Sequence, residues 1–321
     1  MLWPAMQAGR IARLFQQEDL NFLLTNRIPR RAATLALGRI SRIESPRLVS
    51  AALRVWRVFA PELDLSEART RRFRSLRECF IRELAPGARP IAREEGVLVS
   101  PCDADVGASG RVRGDVVVQA KGLDYRLSEL LGDAALARRY EGGRYVTLRL
   151  KATSYHRFHA PAACRVREVV HVSGDTWNVN PIALKRVERL FCRNERAVVP
   201  LELDGAPGSL ALVAVAAIGV ASLRLHCLGA TLGLRYDGPA RISCDARYEK
   251  GDELGWFEQG STIIALASGE LECAETVREG ATLRVGEPLF VVSGSRANDA
   301  AGRAGGAPGD RSETSARGEF A

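Results

Sequence analysis

A chain of 321 residues with 46% hydrophobic and 26% charged side chains can hold one large domain or two, and it is too apolar to be disordered along most of its length. The net charge of +8 is gathered at one end: residues 1–77 carry 15 Arg, no Lys and six acidic residues, which leaves the remainder close to neutral. A basic head on a neutral body fits an anionic partner surface, lipid or nucleic acid, or else records only solvated helix faces.

Seven cysteines, at 79, 102, 164, 192, 227, 244 and 273, form no C-x-x-C pair and no zinc spacing. An odd, scattered set suits free thiols in a reducing compartment. Arg10 and Arg13 interrupt any apolar stretch at the start, so no signal peptide is expected. The longest uncharged run, Gly205 to Leu223, is broken early by Pro207 and Gly208 and is too short to cross a bilayer. It reads as a buried strand pair. The expected location is cytoplasmic, with membrane association at most peripheral.

Taken in order, residues 20–60 read as amphipathic helix. Ser45 before Pro46 is a helix start, with Leu48, Ala52, Val55 and Phe59 on one face and Arg47, Ser50, Arg54 and Arg57 on another. Ala33, Leu37 and Ile40 set against Arg31, Arg39 and Arg42 repeat the theme. Such faces pack on a core or lie in a bilayer interface, where Trp56 would also fit. No helix-turn-helix or stacking-aromatic pattern accompanies the charge, which argues against nucleic acid. From Phe80 the texture becomes β-rich: residues 96–100, 116–119, 145–150, 165–170, 210–215 and 222–225 read as strands. Helix is expected over 127–140 and 182–189. After Gly294 large apolar residues almost vanish, and a disordered tail is expected. The fold class is α+β, divided as a basic helical region 1–77, a β-rich domain 78–293 and a tail 294–321.

Two of the four histidines share Tyr155-His156-Arg157-Phe158-His159-Ala160-Pro161, a spacing that would place both on one side of a helical turn or loop. A metal site lacks a third ligand at suitable spacing, so none is expected, and a structural role for the pair is the plain alternative. Asp103, after a strand, is an ordinary turn former. Gly260-Ser261-Thr262, ahead of the apolar run Ile263–Leu266, is either a tight turn or a place where a serine hydroxyl attacks the preceding carbonyl. Asp103, His159 and Ser261 have the types of an acid–base–nucleophile set, but spacing alone does not bring them together.

From about Leu20 to Val292 the chain resembles the phosphatidylserine decarboxylases. The resemblance is carried by Phe80-Ile81-Arg82-Glu83-Leu84-Ala85-Pro86-Gly87-Ala88-Arg89-Pro90-Ile91, then Ser100-Pro101-Cys102-Asp103-Ala104. Lys121-Gly122-x-x-Tyr125-x-Leu127-x-x-Leu130-Leu131-Gly132 follows, then Tyr155 to Pro161, Val179-Asn180-Pro181, Leu190-Phe191-x-x-Asn194-Glu195-Arg196 and Gly260-Ser261-Thr262, all in the family's order. The chain departs at Ser154, Cys102 and Ala104, where the family usually has Asp, Ala and Gly, and at Gln259, where it has an apolar residue.

The resemblance implies a zymogen of phospholipid biosynthesis that cuts itself between Gly260 and Ser261. Asp103 would orient and charge-stabilise His159, and His159 would take the Ser261 proton. The attack would give an ester, and elimination would release a β chain ending at Gly260 and leave a dehydroalanine from Ser261, which takes up water and loses ammonia to become the pyruvoyl group capping the α chain. That cofactor would form a Schiff base with phosphatidylserine and release carbon dioxide, leaving phosphatidylethanolamine, with His156 as proton donor or headgroup contact. The expected partners are phosphatidylserine in an anionic membrane surface on the cytoplasmic side of the cell membrane, and further copies of the chain in a homo-oligomer. The rival readings are a serine hydrolase using Ser261, His159 and Asp103, and a non-catalytic lipid-binding relative; the first lacks a G-x-S-x-G elbow.

Overall fold

The computed structural model describes residues 18–120, 123–219, 222–258 and 262–294. The tail expectation, apart from Gly294, falls outside them, as do residues 1–17 and the junction residues Gln259, Gly260 and Ser261.

Three helices lead: α1 (Glu18–Asn26), α2 (Arg30–Ile40) and α3 (Pro46–Phe59). The Ser45 hydroxyl accepts from Leu48 N with Pro46 in the first turn, as its sequence predicts. The inward stripe of α3, however, is Val49, Leu53 and Trp56, which packs with Leu63, Leu65, Phe73 and Cys79. Leu48, Val55 and Phe59, on the face read as either core-packed or interfacial, are exposed. Apolar residues cover more of this helix than one protein neighbour can bury. Below it, α4 (Leu76–Phe80) is capped by Ser75. No helix among the described residues is long and apolar enough to cross a membrane.

The body is a stack of layers. The central sheet has eight antiparallel strands in the order β12-β7-β8-β9-β14-β5-β2-β16. These are β2 (Ala104–Arg111), β5 (Arg144–Arg149), β7 (Cys164–Val172), β8 (Arg196–Leu203), β9 (Ser209–Val215), β12 (Arg241–Tyr248), β14 (Thr262–Ala267) and β16 (Thr282–Leu283). On one face lies a four-stranded sheet, β11-β10-β13-β6, made of β6 (Arg157–His159), β10 (Ser222–Leu225), β11 (Thr231–Gly233) and β13 (Glu253–Phe257). On the other face sit α5 (Leu127–Leu131), α6 (Ala134–Arg138), α7 (Pro181–Leu184), α8 (Leu190–Arg193) and the hairpin of β3 (Val116–Ala120) with β4 (Leu123–Arg126). A third, three-stranded sheet joins β1 (Val97–Val99), β17 (Pro288–Val292) and β15 (Leu271–Cys273).

Strand β14 shows why its sequence is apolar without alternation. Ile263, Ala265 and Ala267 enter the core shared with the four-stranded sheet, while Ile264 and Leu266 enter the core under the helices. Burial on both faces removes the period-two pattern. The strand lies between β5 and β9, paired residue for residue on each side from Thr262 to Ala267.

Three expectations need correction, the first being the helix expected over 182–189, which stops at Leu184 and gives way to turns before α8. The helix expected over 127–140 is two helices, because Gly132 turns left-handed (φ 65°) and Asp133 caps a new start through Ala135 N and Leu136 N. The strand pair expected within 205–223 is β9 in the central sheet and the first residues of β10 in the smaller one, so the two are not partners.

Gly255 sits where β13 passes β10 so closely that a Cβ would lie 2.0 Å from the Arg224 carbonyl oxygen. Gly255→Ala should therefore part these strands and cost about 3 kcal/mol of stability, read as a lowered denaturant midpoint at unchanged slope.

Candidate active site

The sequence elements singled out above converge on one end of the central sheet. Asp105 on β2, Arg149 on β5 and Thr262 on β14 stand in one cross-strand row. Two residues beyond that row come Asp103 and Lys151. The stretch running on from Lys151 carries His156 and His159, and the His159 amide donates to the Pro101 carbonyl at 2.8 Å. Asp103, His156 and His159 are thus gathered at the end of the sheet from which β14 starts. Ser261 and Gly260 themselves lie outside the described residues.

The junction connects the two sheets: β13 ends at Phe257 in the smaller one and β14 begins at Thr262 in the larger. Before it, Phe257 N donates to the His156 carbonyl and Glu258 N to the Ser222 carbonyl, both at 3.0 Å. After it, Thr262 is fully buried and its hydroxyl has no partner.

The two histidines do not share a helical turn. His159 ends strand β6, His156 precedes it, and their surroundings differ. The His156 ring is wholly buried, 5.1 Å from the ring of Phe80, with neither nitrogen hydrogen-bonded. Burial first and the Arg82 guanidinium second push its pKa down to about 3, opposed by the carbonyl groups at Ser154 and Lys151. At neutral pH this imidazole is uncharged.

His159 is held from both sides. Its Nδ1 lies 2.8 Å from the Gly251 carbonyl, which can only accept, so Nδ1 carries the proton of the neutral ring. Its Nε2 then accepts from the Tyr155 hydroxyl at 3.1 Å. Burial lowers its pKa, while the Gly251 carbonyl and the charges of Glu253 and Asp103 work against that.

Asp103, expected to orient His159, makes no hydrogen bond to it. Its carboxylate is gripped by Arg89, Nε to Oδ1 at 2.9 Å and Nη2 to Oδ2 at 2.5 Å, and Oδ1 also accepts from Val285 N. A guanidinium fork matches a carboxylate better than a neutral imidazole does. Gly251 and Tyr155 orient the ring, and Asp103 acts on it through space. Arg89 in turn contacts Glu67 at 2.9 Å. Sequence reasoning gave no role to Tyr155, Arg89 or Arg82. All three stand inside the recognised motif runs, but no spacing rule distinguishes them there.

A cleft of about 540 Å³ opens beside the row. Its walls include Leu37, Phe80, Val179 and Ile218, with Arg149 and Lys151 as cations. Both cations reach Asp105, Lys151 Nζ at 2.9 Å and Arg149 Nη2 at 3.6 Å. Apolar walls with a few convergent polar groups are what a small amphiphile requires. Among the described residues no group of three or more His, Cys, Asp or Glu could hold a metal ion.

The sequence model of the phosphatidylserine decarboxylase family matches residues 76–291. A phosphatidylserine decarboxylase proenzyme of Brevibacillus brevis is 37% identical over 270 residues, covering 83% of this chain and 95% of the relative. One of Anaeromyxobacter sp. is 40% identical over 274 residues, covering 82% and 94%. One of Vibrio cholerae is 35% identical over 272 residues, covering 81% and 94%. With matches that span the body and leave little of each relative uncovered, the chain belongs to the phosphatidylserine decarboxylase family.

Proposed function

We propose that the chain is a proenzyme that cuts itself between Gly260 and Ser261 and then decarboxylates phosphatidylserine to phosphatidylethanolamine. The observation that carries this reading is the gathering of Asp103, His156 and His159 at the sheet end where β14 begins, in a chain whose relatives are named phosphatidylserine decarboxylase proenzymes.

In the cutting step His159 Nε2 takes the Ser261 proton; its lone pair is the one the Tyr155 hydroxyl now meets. Ser261 Oγ attacks the Gly260 carbonyl, the amide becomes an ester, and elimination frees the Gly260 carboxylate. Asp103, held in place by Arg89, stabilises the charged imidazole through space. In such an attack on the neighbouring carbonyl, placement contributes more than base strength.

The residues present fit a pyruvoyl group at position 261. Thr262 Oγ1 is a buried polar atom with no partner, and the buried His156 nitrogens make no hydrogen bond of good geometry beyond the approach of the Ser154 and Lys151 carbonyls; all lie close in the chain or the register to that position. Such atoms are costly to leave unpaired unless a further polar group completes the site. When formed, that group supplies a ketone carbonyl that condenses with an amine and accepts electrons from the bond to the carboxylate. His156, neutral and buried, is placed to hold or deliver a proton to the product carbon. Lys151 and Arg149 give the cleft positive charge for an anionic headgroup, and the dry surroundings of Phe80 and His156 favour loss of carboxylate charge.

The lipid surface would be met by the head of the chain. Val55, Val58 and Phe59 are 59%, 56% and 51% exposed, and Leu37, Ile40, Ile43 and Leu48 are exposed beside them. Arg39, Arg47, Arg54 and Arg57 are exposed on the same helices. Apolar residues at the acyl boundary with arginines at phosphate level support peripheral binding on the cytoplasmic side of the membrane. The pair Val55→Glu and Phe59→Glu should weaken binding to phosphatidylserine vesicles about tenfold or more at low salt with no loss of fold. Unchanged vesicle binding, with a solution dimer lost instead, would assign this face to a second copy of the chain. The proposed reaction itself is tested by mass spectrometry of the purified protein, expected to give two chains, together with release of carbon dioxide from the same vesicles.

A further inference from the structure

We propose that Glu258 is a positioning residue for chain cleavage, clamped by Arg42 and Arg77, so that the helical head of the chain is part of the processing machinery. The proposal rests on the self-cleavage reading and adds to it residues that stand outside the motif runs quoted above, though Glu258 is near Gly260.

Glu258 stands two residues before Gly260 and its side chain is only 12% exposed. Arg77 donates to Oε1 through Nε at 2.9 Å and Nη2 at 2.8 Å, and Arg42 Nη2 donates to Oε2 at 2.7 Å. Burial alone would raise this carboxyl, but the two guanidiniums more than offset it and hold it below the usual range. The main chain is fixed as well, through Glu258 N and the Ser222 carbonyl. Isolated surface ion pairs contribute little, but a half-hidden carboxylate bonded through both oxygens to two guanidiniums fixes a position well.

The two arginines are themselves tied together. Arg77 N donates to the Ser41 carbonyl at 2.8 Å, next to Arg42, and Ser45 N donates to the Arg74 carbonyl at 2.9 Å, so α4 is laced to the α2–α3 connection. Beyond the junction, Thr262 is held by pairing to both Arg149 and Val215. Only three residues join Glu258 to Thr262. Each adds at most about 3.8 Å between Cα atoms, so both anchored ends lie within a few residues of the bond to be cut. Attack of a hydroxyl on the neighbouring carbonyl depends steeply on such placement. Arg42 also lies between Ile40 and Ile43 of the exposed apolar face, so the same short segment borders both the proposed lipid surface and the junction.

The test is a time course of chain cleavage after cell-free synthesis of the full chain, for the wild type, Glu258→Gln, Arg77→Gln, Arg42→Gln and the double variant Glu258→Gln with Arg77→Gln. Thermal unfolding is followed in parallel on uncut proteins carrying Ser261→Ala. The expected result is cleavage slowed about tenfold to a hundredfold in Glu258→Gln. Arg77→Gln should slow it comparably and the double variant no further, with similar unfolding temperatures in the uncut set. Arg42, 57% exposed, can be changed without risk to folding, and its variant should show a smaller slowing in the same direction. Cleavage at the wild-type rate in Glu258→Gln, or additive effects of the Glu258 and Arg77 changes, would overturn the clamp while leaving the decarboxylase reading intact. A wild-type chain that stays whole would overturn that reading, and the clamp with it.

Discussion

Ser261→Ala should give a single full-length chain where the wild type gives two, and decarboxylation should fall below detection, about 10⁴-fold or more. Alanine removes the attacking oxygen, which is also the leaving atom of the elimination that precedes the ketone, so both reactions fail through one change. A structural explanation is weak here, because the substitution removes one oxygen and leaves Thr262 and its pairing to Arg149 and Val215 in place. Near-native circular dichroism of the uncut variant would separate lost chemistry from lost fold. The small chain of the wild type should also resist stepwise sequencing from its front end, since the proposed group there has no amine. A serine hydrolase using the same residues predicts one chain from both proteins and a readable terminus.

His156→Gln should still be cut, yet turn over about 10²–10³-fold more slowly at saturating lipid. The wild-type ring is neutral and unpaired, beside the end of β13 and against Phe80, so glutamine keeps a polar group there but removes the imidazole that moves the proton. The same substitution has a second signature. The folded-state pKa of about 3 lies below the ordinary histidine value of 6.5, so the unfolded chain takes up a proton first as pH falls. The stability tied to the neutral ring is therefore complete above pH 6.5 and is lost as pH drops towards 3, by about 1.4 kcal/mol per unit at most. His159, lowered chiefly by burial, adds to the loss in the same sense. An uncut His156→Gln protein should show a shallower acid limb in denaturant titrations at stepped pH. An unchanged limb together with full turnover would remove His156 from the mechanism.

The sequence made the strand cores legible where one face alone was buried or where β-branched residues clustered, as in β5, β7 and β9. It also marked the α3 start, because Ser45 and Pro46 act locally. Rotation of α3 was not legible: a helix with apolar residues around more than half its girth does not say which of them meet protein, and Val49, Leu53 and Trp56 do. The break at Gly132 was missed because the apolar spacing continues across it.

At the site, Asp103, His156 and His159 were found through motif order, and their convergence depends on the row Asp105–Arg149–Thr262, which pairs residues far apart in the chain. What each side chain touches was beyond reach. Arg89 takes Asp103, and Tyr155 with Gly251 takes His159, by a competition among partners that only three-dimensional proximity decides.

The inner position of β14 has a thermodynamic corollary. Once the backbone is severed ahead of it, the mature protein is two molecules whose reunion after denaturation requires a bimolecular encounter and the threading of a strand between two already paired neighbours. The uncut precursor faces a unimolecular search instead. Heat inactivation of the finished enzyme is then a one-way event whose lifetime is set by an unfolding barrier, and the equilibrium that guided folding no longer protects it.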